Sequence, residues 1–272
     1  MRLPPPAATV ATLAGLAGLC ASASAAPSAA PTVSDPSAFH YAAPLASART
    51  ARLAANNGAI EVTPSTDGKL DVRAVVRKGD PAQVRVVTRE EPTGIAVCVF
   101  YADETPEACH VGGITSHPGT DHHNGPRVDL VARVPAGVSI VASTLNGDLR
   151  AQGVTGEVRA STLNGNVDVS GGTVREASTL NGDVIARFAN PPSADATFST
   201  NNGDVKVFFP ARTDASVEAS TAQGELHGNV GMRVSSVPGG YGPKSGSATI
   251  GKGGPKIQAR SINGDVDIEV AN

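Results

Sequence analysis

A seven-residue phrase that recurs through the second half of the chain limits the possible folds more than any other feature. It first reads S-T-L-N-G-D-L at Ser143–Leu149. The later copies are S-T-L-N-G-N-V at Ser161–Val167, S-T-L-N-G-D-V at Ser178–Val184, S-T-N-N-G-D-V at Ser199–Val205, S-T-A-Q-G-E-L at Ser220–Leu226 and R-S-I-N-G-D-V at Arg260–Val266. Successive turn glycines are 18, 17, 21, 21 and 40 residues apart. A period of about 20 residues is typical of stacked repeats.

The copies share one alternating frame. Apolar or small residues occupy every second position before and after Asn-Gly, as in Val158-x-Ala160-x-Thr162 and Val167-x-Val169. This alternation predicts short strands with one buried face, and Asn-Gly suits the tight turn between them. The predicted turn and ladder residues are Asn146, Gly147, Asp148, Asn164, Gly165, Asn181, Gly182, Asp183, Asn202, Gly203, Asp204, Asn263, Gly264 and Asp265.

The repeated residue identities favour an all-β, single-stranded right-handed β-helix, or β-solenoid, with coils of about 17–21 residues. The alternative is a β-meander sandwich, which has no reason to repeat residue types so closely. The first coil is expected to begin near Leu53 and to turn at Asn57-Gly58. The interval of 40 residues predicts a degenerate coil at Ser245–Ile250, with a glycine-rich loop inserted at 239–254.

The N-terminal region divides into two segments before the repeats. Residues 1–26 have the composition of a secretory signal peptide, with an apolar run followed by A-x-A cleavage sites. Cys20 follows Leu19 rather than a small residue, so a lipid anchor is not expected. Residues 27–50 are rich in alanine, proline and serine and predict a flexible spacer. The solenoid is then expected over 51–272, and no segment is apolar enough to span a bilayer.

Two cysteines remain after the predicted cleavage, Cys98 and Cys109. In an exported protein this pair predicts a disulfide within a loop at 98–126. A net charge of −3 gives no basic surface for nucleic acid.

The residues after the turn glycines form an acidic column: Asp148, Asp183, Asp204, Glu225 and Asp265. Stacked carboxylates could bind calcium or a basic surface. Aspartate also suits an exposed turn, and this second interpretation, with the carboxylate facing water, is favoured.

A histidine cluster is the second candidate site. His110, His117, His122 and His123 lie near Asp121 and could bind zinc. Their spacing matches no closed zinc site, so an exposed polar loop is favoured and no cofactor is expected.

Catalysis is the third candidate. Arg150, Arg159, Arg175 and Arg187 could lie near the acidic column, as in a polysaccharide lyase or hydrolase. They occur at irregular offsets, and no group of unlike residues interrupts the repeat, so an enzyme is not expected.

Two segments carry a resemblance to a known family: P-x-G-V-x-x-x-x-x-T-x-N-G-D at Pro135–Asp148, and G-S-A-T-I followed by I-Q-A-R-S-I-N-G-D-V-D-I. Over about Ala51 to Asn272 the chain resembles a bacterial domain-of-unknown-function family labelled "putative adhesin". The resemblance implies a β-solenoid in an exported or envelope protein, and it brings no catalytic residues.

The resulting expectation is an exported, non-catalytic module that binds or scaffolds in the cell envelope. It would be periplasmic, cell-surface or secreted, and its partner would be an envelope protein or a surface glycan. Stacking of the protein with itself, end to end, is also considered, as is a regulatory or sensory role. The loops at 98–126 and 239–254 are the predicted sites of specific contact, because irregular loops on rigid frames often carry recognition.

Overall fold

The computed structural model describes residues 30–105, 109, 125–236 and 242–271. These residues form strands almost throughout, with two short 3-10 helices at Pro36–Ala38 and Pro81–Gln83. The first ten strands are β1 (Thr32–Ser34), β2 (His40–Pro44), β3 (Thr50–Asn57), β4 (Ile60–Pro64), β5 (Lys69–Lys78), β6 (Val84–Glu91), β7 (Gly94–Tyr101), β8 (Arg127–Val134), β9 (Ser139–Asn146) and β10 (Leu149–Asn164). The others are β11 (Val167–Asn181), β12 (Val184–Phe188), β13 (Ala196–Asn202), β14 (Val205–Phe209), β15 (Ala215–Gln223), β16 (Leu226–Gly228), β17 (Arg233–Ser236), β18 (Lys244–Ile250), β19 (Lys256–Asn263) and β20 (Val266–Val270).

The strands build a β-solenoid, as the sequence predicts. Within a coil, one strand leads into the Asn-Gly turn and a second strand leaves it, and equivalent strands of successive coils pair in parallel and in register. We call the strands before the turn the front stack and those after it the back stack. β10 and β11 are long enough to contribute to both stacks, because each begins after one turn and ends at the next.

The narrow core lies between the stacks and is filled by the inward-facing residues of the alternating pattern. Small side chains such as Ala142, Ala160 and Ala177 come from the front stack, and valines such as Val167 and Val184 come from the back stack, all of them buried. Larger residues fill the wider section near the C-terminal end, where Phe188 stacks on Phe209 with ring centroids 5.1 Å apart. The repeated small residues therefore set how closely the stacks approach.

The first coil, β3–β4, is inserted between strands that follow it in the sequence. β3 pairs in parallel with β7 on one side and with β9 on the other. β4 likewise lies between β8 and β10. The coil begins at Thr50, close to the predicted start at Leu53, and Asn57 takes its place opposite Asn146.

The last coil, β19–β20, is inserted in the same way at the other end. β19 lies between β13 and β15, and β20 lies between β14 and β16. The prediction of a degenerate coil at Ser245–Ile250 is therefore wrong: this segment is in β18, which pairs antiparallel with β15 and extends the front stack outward. The predicted loop at 239–254 is likewise a strand over Lys244–Ile250, because the alternation of its side chains suits the edge of the sheet.

Antiparallel strands cover both ends of the parallel stacks. At the N-terminal end β6 pairs with β7 and β5 pairs with β8. At the C-terminal end β18 is followed by β17, a strand of four exposed residues. Short outer strands such as β17 leave little edge for another copy to extend, which disfavours stacking of the protein with itself end to end.

The predicted flexible spacer at 27–50 is corrected over its described part. β1 pairs with β6, and β2 pairs with β5 through five consecutive residue pairs. Phe39, between these strands, is buried in the main core. Although the composition is rich in alanine and proline, unpaired edges at β5 and β6 offer hydrogen bonds that order this segment. The predicted signal peptide at 1–26 lies outside the described residues.

Candidate functional site

The threonine and glycine of the repeated phrase join adjacent coils through buried hydrogen bonds. The Oγ1 of Thr162 donates to the carbonyl oxygen of Gly147 at 3.0 Å, and the Oγ1 of Thr179 donates to that of Gly165 at 2.9 Å. A Cβ on Gly165 would clash with the Gly147 carbonyl, and its φ of +146° disfavours other residues. Glycine is therefore required here by both the turn and the close approach of the coils.

The asparagines form a ladder along the turn. The side-chain Nδ2 of Asn164 donates to Oδ1 of Asn146 at 2.8 Å, and the pattern repeats in the next coils at 2.7 Å. The ladder runs in the order Asn146, Asn164, Asn181, Asn202 and Asn263. Each inner amide both accepts and donates, so the side chains are committed to holding the coils in register.

The acidic column has a structural role that the sequence analysis does not anticipate. The Oδ1 of Asp183 accepts the backbone N–H of Asp204 at 2.9 Å, and the Oδ1 of Asp204 accepts that of Asp265 at 2.9 Å. Asn166 substitutes in the same role, since its Oδ1 accepts the N–H of Asp183 at 2.9 Å. One oxygen of each of these side chains accepts a hydrogen bond from the neighbouring coil, so only part of each side chain is available to water.

The remaining candidate ligands do not converge. The part of the chain that the structure describes contains no group of three or more His, Cys, Asp or Glu residues able to hold a metal ion. His110, His117, His122 and His123 lie outside the described residues, as does most of the loop at 98–126. No helix of the described residues is long and apolar enough to cross a membrane.

The four arginines considered for catalysis pair with acids outside the column. Arg150 and Arg187 both approach Asp168, at 3.9 and 2.5 Å. Arg159 and Arg175 approach Glu157, at 2.8 and 3.8 Å, and Arg159 also reaches Glu176 at 3.5 Å. These are ion pairs at half-exposed surface positions and do not bring a carboxylate of the column together with a base.

The disulfide predicted between Cys98 and Cys109 is present, with Cα atoms 5.8 Å apart. Cys98 faces outward from β7, and its bond holds Cys109 against the outer face of the front stack. Both cysteines belong to a small second core with Ala54, Val87 and Phe100. This second core covers the N-terminal end of the outer face.

Beyond the second core, serines line the outer face of the front stack, one in nearly every strand. We call this set the serine row; its members are Ser143, Ser161, Ser178, Ser199, Ser220 and Ser245. Arg260 occupies the equivalent position in β19, between Ser199 and Ser220. With a strand spacing near 4.8 Å, the row from Ser143 to Ser220 is about 24 Å long.

Three open cavities lie along the serine row, and the smallest, of about 400 Å³, lies beside Ser245. The first, of about 490 Å³, includes Ser143, Ser161, Arg52 and Arg159 in its lining. The second, of about 470 Å³, includes Ser199, Ser220, Lys244 and Arg260. Exposed apolar side chains border the row on the turn side: Leu163 is 42% exposed, Leu180 36% and Ile262 47%. The surface therefore combines hydroxyls, an apolar border and a cation at each cavity.

Arg52 is the least expected residue of this surface. It is only 7% exposed, and its Nε is buried without a hydrogen-bond partner. Burial lowers the pKa of its guanidinium, and the charge of Glu91 raises it, so the two effects oppose each other. In the sequence, the repeated serines indicate only the fold, and Arg52 belongs to no motif. The available signal is that a charged residue stands in the small, apolar segment A-R-L-A-A at 51–55.

Fold and surface together define a β-solenoid protein whose repeated phrase is used for stacking and whose outer front face carries the serine row. Residues 137–269 match the model of the Toastrack DUF4097 family, which confirms the resemblance to the "putative adhesin" family of unknown function. A search of the curated proteins gives no match.

Two solved structures are similar at 12% identity. One is a "putative cell adhesion protein" from Clostridium sporogenes, covering 89% of this chain and 100% of its own, with a TM-score of 0.42. The other is a "putative adhesin" from Bacteroides fragilis, covering 87% of this chain and 99% of its own, with a TM-score of 0.29. Both likenesses are too distant to inform function.

Proposed function

We propose that this protein is an exported, non-catalytic binding module and that the serine row is its binding surface for an extended polymer of the cell envelope. The row supports this proposal because it presents a hydroxyl in successive strands from Ser143 to Ser199 and again at Ser220, over about 24 Å in all. A ligand that repeats along its own length can contact several coils in the same way. A compact small molecule would use only one of the cavities along the row.

The use of the other polar groups also supports a binding role for this face. The threonine, asparagine and aspartate side chains of the phrase make hydrogen bonds between coils. The serine hydroxyls point outward instead, and a hydroxyl both donates and accepts hydrogen bonds. The apolar border beside them supplies contact area for a partly apolar ligand.

Export is supported by the disulfide, because such bonds persist in oxidising compartments outside the cytoplasm. Among the partners considered, a surface glycan fits the row better than a folded protein. The row is narrow and lined mainly by small hydroxyl groups, whereas protein interfaces usually centre on buried aromatic anchors.

The test is to fill the row and measure binding to isolated cell envelopes by co-sedimentation. In the double variant Ser161→Tyr/Ser178→Tyr, two outward rings cover the middle of the row without touching the core. Binding to the envelopes is expected to weaken by about tenfold or more, because the two rings make the serine hydroxyls beneath them inaccessible. The control is Ile185→Tyr, a half-buried outward position of the back stack opposite Asp168 and Lys206. Equal binding by the double variant and the wild type would refute the proposal.

A further inference from the structure

We propose that Arg52, assisted by Ser143, binds a carboxylate of the polymer, and that the polymer is therefore an acidic polysaccharide. The inference rests on the proposed function of the serine row and assigns the chemistry of its ligand. It starts from a buried charge without a contact partner: among the described residues, Arg52 has neither a hydrogen-bond partner nor an ion pair. Its side chain is more than nine-tenths buried and lines the first cavity.

A buried guanidinium without a partner is rare, because an arginine retains its charge in proteins and desolvation of that charge is costly. Glu91 supplies an attraction at longer range, but no contact. The ion pairs of Arg159 in the same cavity are satisfied within the protein, by Glu157 and Glu176. Arg52 is therefore the cation of this cavity that is available to an incoming anion.

A second orphaned group lies beside it. The Oγ of Ser143 is buried and has no hydrogen-bond partner. Ser143 and Arg52 both lie on the outer faces of paired strands, since β3 and β9 run in parallel with Arg52 opposite Val141 and Ala54 opposite Ser143. A planar guanidinium and a hydroxyl together suit a carboxylate, which accepts several hydrogen bonds at once.

The placement of the other cations favours a polymer with several acidic groups. Arg260 lies in the serine row itself, four strand positions from Ser143, and forms part of the second cavity. It makes no ion pair with any residue of the described ranges. A chain held by Arg52 at one end could place another carboxylate near Arg260, five strand positions and about 24 Å away along the stack.

A polysaccharide fits this surface better than an acidic peptide does. Peptides commonly bind by adding a strand to a free sheet edge. The cavities instead lie on the flat outer face, where the backbone groups are already paired within the parallel ladder. The face offers side-chain hydroxyls, which can exchange hydrogen bonds with the hydroxyls of sugars.

The experiment measures binding of polygalacturonate, its methyl-esterified neutral form and polyglutamate by isothermal titration calorimetry. The wild type is expected to prefer polygalacturonate over both other polymers by about tenfold, because only this ligand combines sugar hydroxyls with carboxylates. Arg52→Met should remove that preference while leaving the thermal midpoint unchanged or higher, since the unpaired buried charge is lost. Arg150→Met, which removes an exposed arginine of the back stack, is the matched control and should bind as the wild type does.

Ser143→Ala keeps the charge of Arg52 and removes only the serine hydroxyl, so it tests the site even if Arg52→Met folds poorly. It should weaken binding of polygalacturonate about threefold to tenfold. Equal binding of the acidic and esterified polymers by the wild type, unchanged in Arg52→Met, would overturn the carboxylate site and leave the serine row in place. Tighter binding of polyglutamate, or no binding of polygalacturonate, would overturn the assignment to acidic polysaccharides. The proposal that the serine row is the binding surface is tested separately. It would fail if Ser161→Tyr/Ser178→Tyr bound isolated cell envelopes as the wild type does.

Discussion

Asn263 donates a hydrogen bond from Nδ2 to Oδ1 of Asn202 at 2.7 Å, although 61 residues separate them in the chain. The two are neighbours because the last coil, β19–β20, is inserted between β13–β14 and β15–β16. Strand β15 therefore reaches the rest of the solenoid only through β19.

Removal of residues 256–272 should consequently release the preceding coil as well. The deletion takes away the buried side chains of Ile257, Val266 and Ile268 and the parallel partner of β15. Burial of three such residues is worth about 5 kcal/mol. We expect rapid cleavage within 215–250 in limited proteolysis, with 139–209 still protected. A chain lacking only residue 272 is the control, and protection of 215–250 in the longer deletion would contradict this account.

The asparagine ladder predicts a difference between two adjacent asparagines. The side-chain amide of Asn202 makes hydrogen bonds to those of Asn181 and Asn263. Asn201 is exposed and has no side-chain hydrogen bond among the described residues. Asn202→Ala should lower the free energy of unfolding by about 1–2 kcal/mol, since two partly exposed bonds are lost. Asn201→Ala should change it by less than about 0.5 kcal/mol. Urea denaturation measures both, and similar losses would show that the ladder does not contribute to stability.

Two glycines at positive φ differ in how closely the neighbouring backbone approaches them. Gly182 has a φ of +145°, and an added Cβ would clash with the Gly165 carbonyl. Gly68 has a φ of +72° but open space around it. Gly68→Ala should cost about 1 kcal/mol from conformation alone, and Gly182→Ala at least about 3 kcal/mol because two coils must separate. Thermal unfolding of both variants checks this, and equal costs would mean that the coils can separate easily.

The sequence predicts the repeating part of this fold because the same few contacts recur in every coil. Each position of the repeat contacts the equivalent position in the coils on either side, so the same residue type is required every time, as at Thr179, Asn181 and Gly182. The two inserted coils could not be predicted in the same way: Asn263 matches Asn202 as well as it matches Gln223, and local patterns do not encode which strand comes next. The sequence does not reveal the environment of Arg52 for a related reason: whether its buried Nε finds a partner depends on strands that are distant in the chain.

The acidic column predicts that amides replace its carboxylates at little cost. Asp183 supports the next coil through Oδ1, and Asn166 already does so with an amide. Asp183→Asn should therefore change the free energy of unfolding by less than about 0.5 kcal/mol, whereas Asp183→Ala should lower it by about 1 kcal/mol. Calcium should leave the melting temperature of the wild type unchanged. If calcium raised the melting temperature and Asp183→Asn abolished this rise, the column would instead be a metal site.

The interactions of Asp129 predict how low pH affects the stability of the N-terminal end of the solenoid. Burial by itself raises the pKa of the Asp129 carboxyl, but the N–H of Ala59 at 2.8 Å and the ion pairs with Arg77 at 2.7 Å and Arg127 at 3.3 Å bring it below the ordinary value. The ionised form thus favours the folded state. Its contribution is complete above the pKa of the unfolded chain, about 3.9, and is lost as the pH falls through the lower folded value.

Asp129→Asn keeps an oxygen for Ala59 but loses the charge that Arg77 and Arg127 share. It should lower the free energy of unfolding at pH 7 by about 1–3 kcal/mol. The variant should also lose less stability than the wild type between about pH 4 and pH 2, because this carboxyl no longer takes up a proton on unfolding. Urea denaturation across this pH range measures both effects, with Asp267→Asn as the control for removal of a back-stack carboxylate. Parallel pH profiles for Asp129→Asn and the wild type would show that Asp129 is not the group through which acid destabilises this end of the solenoid.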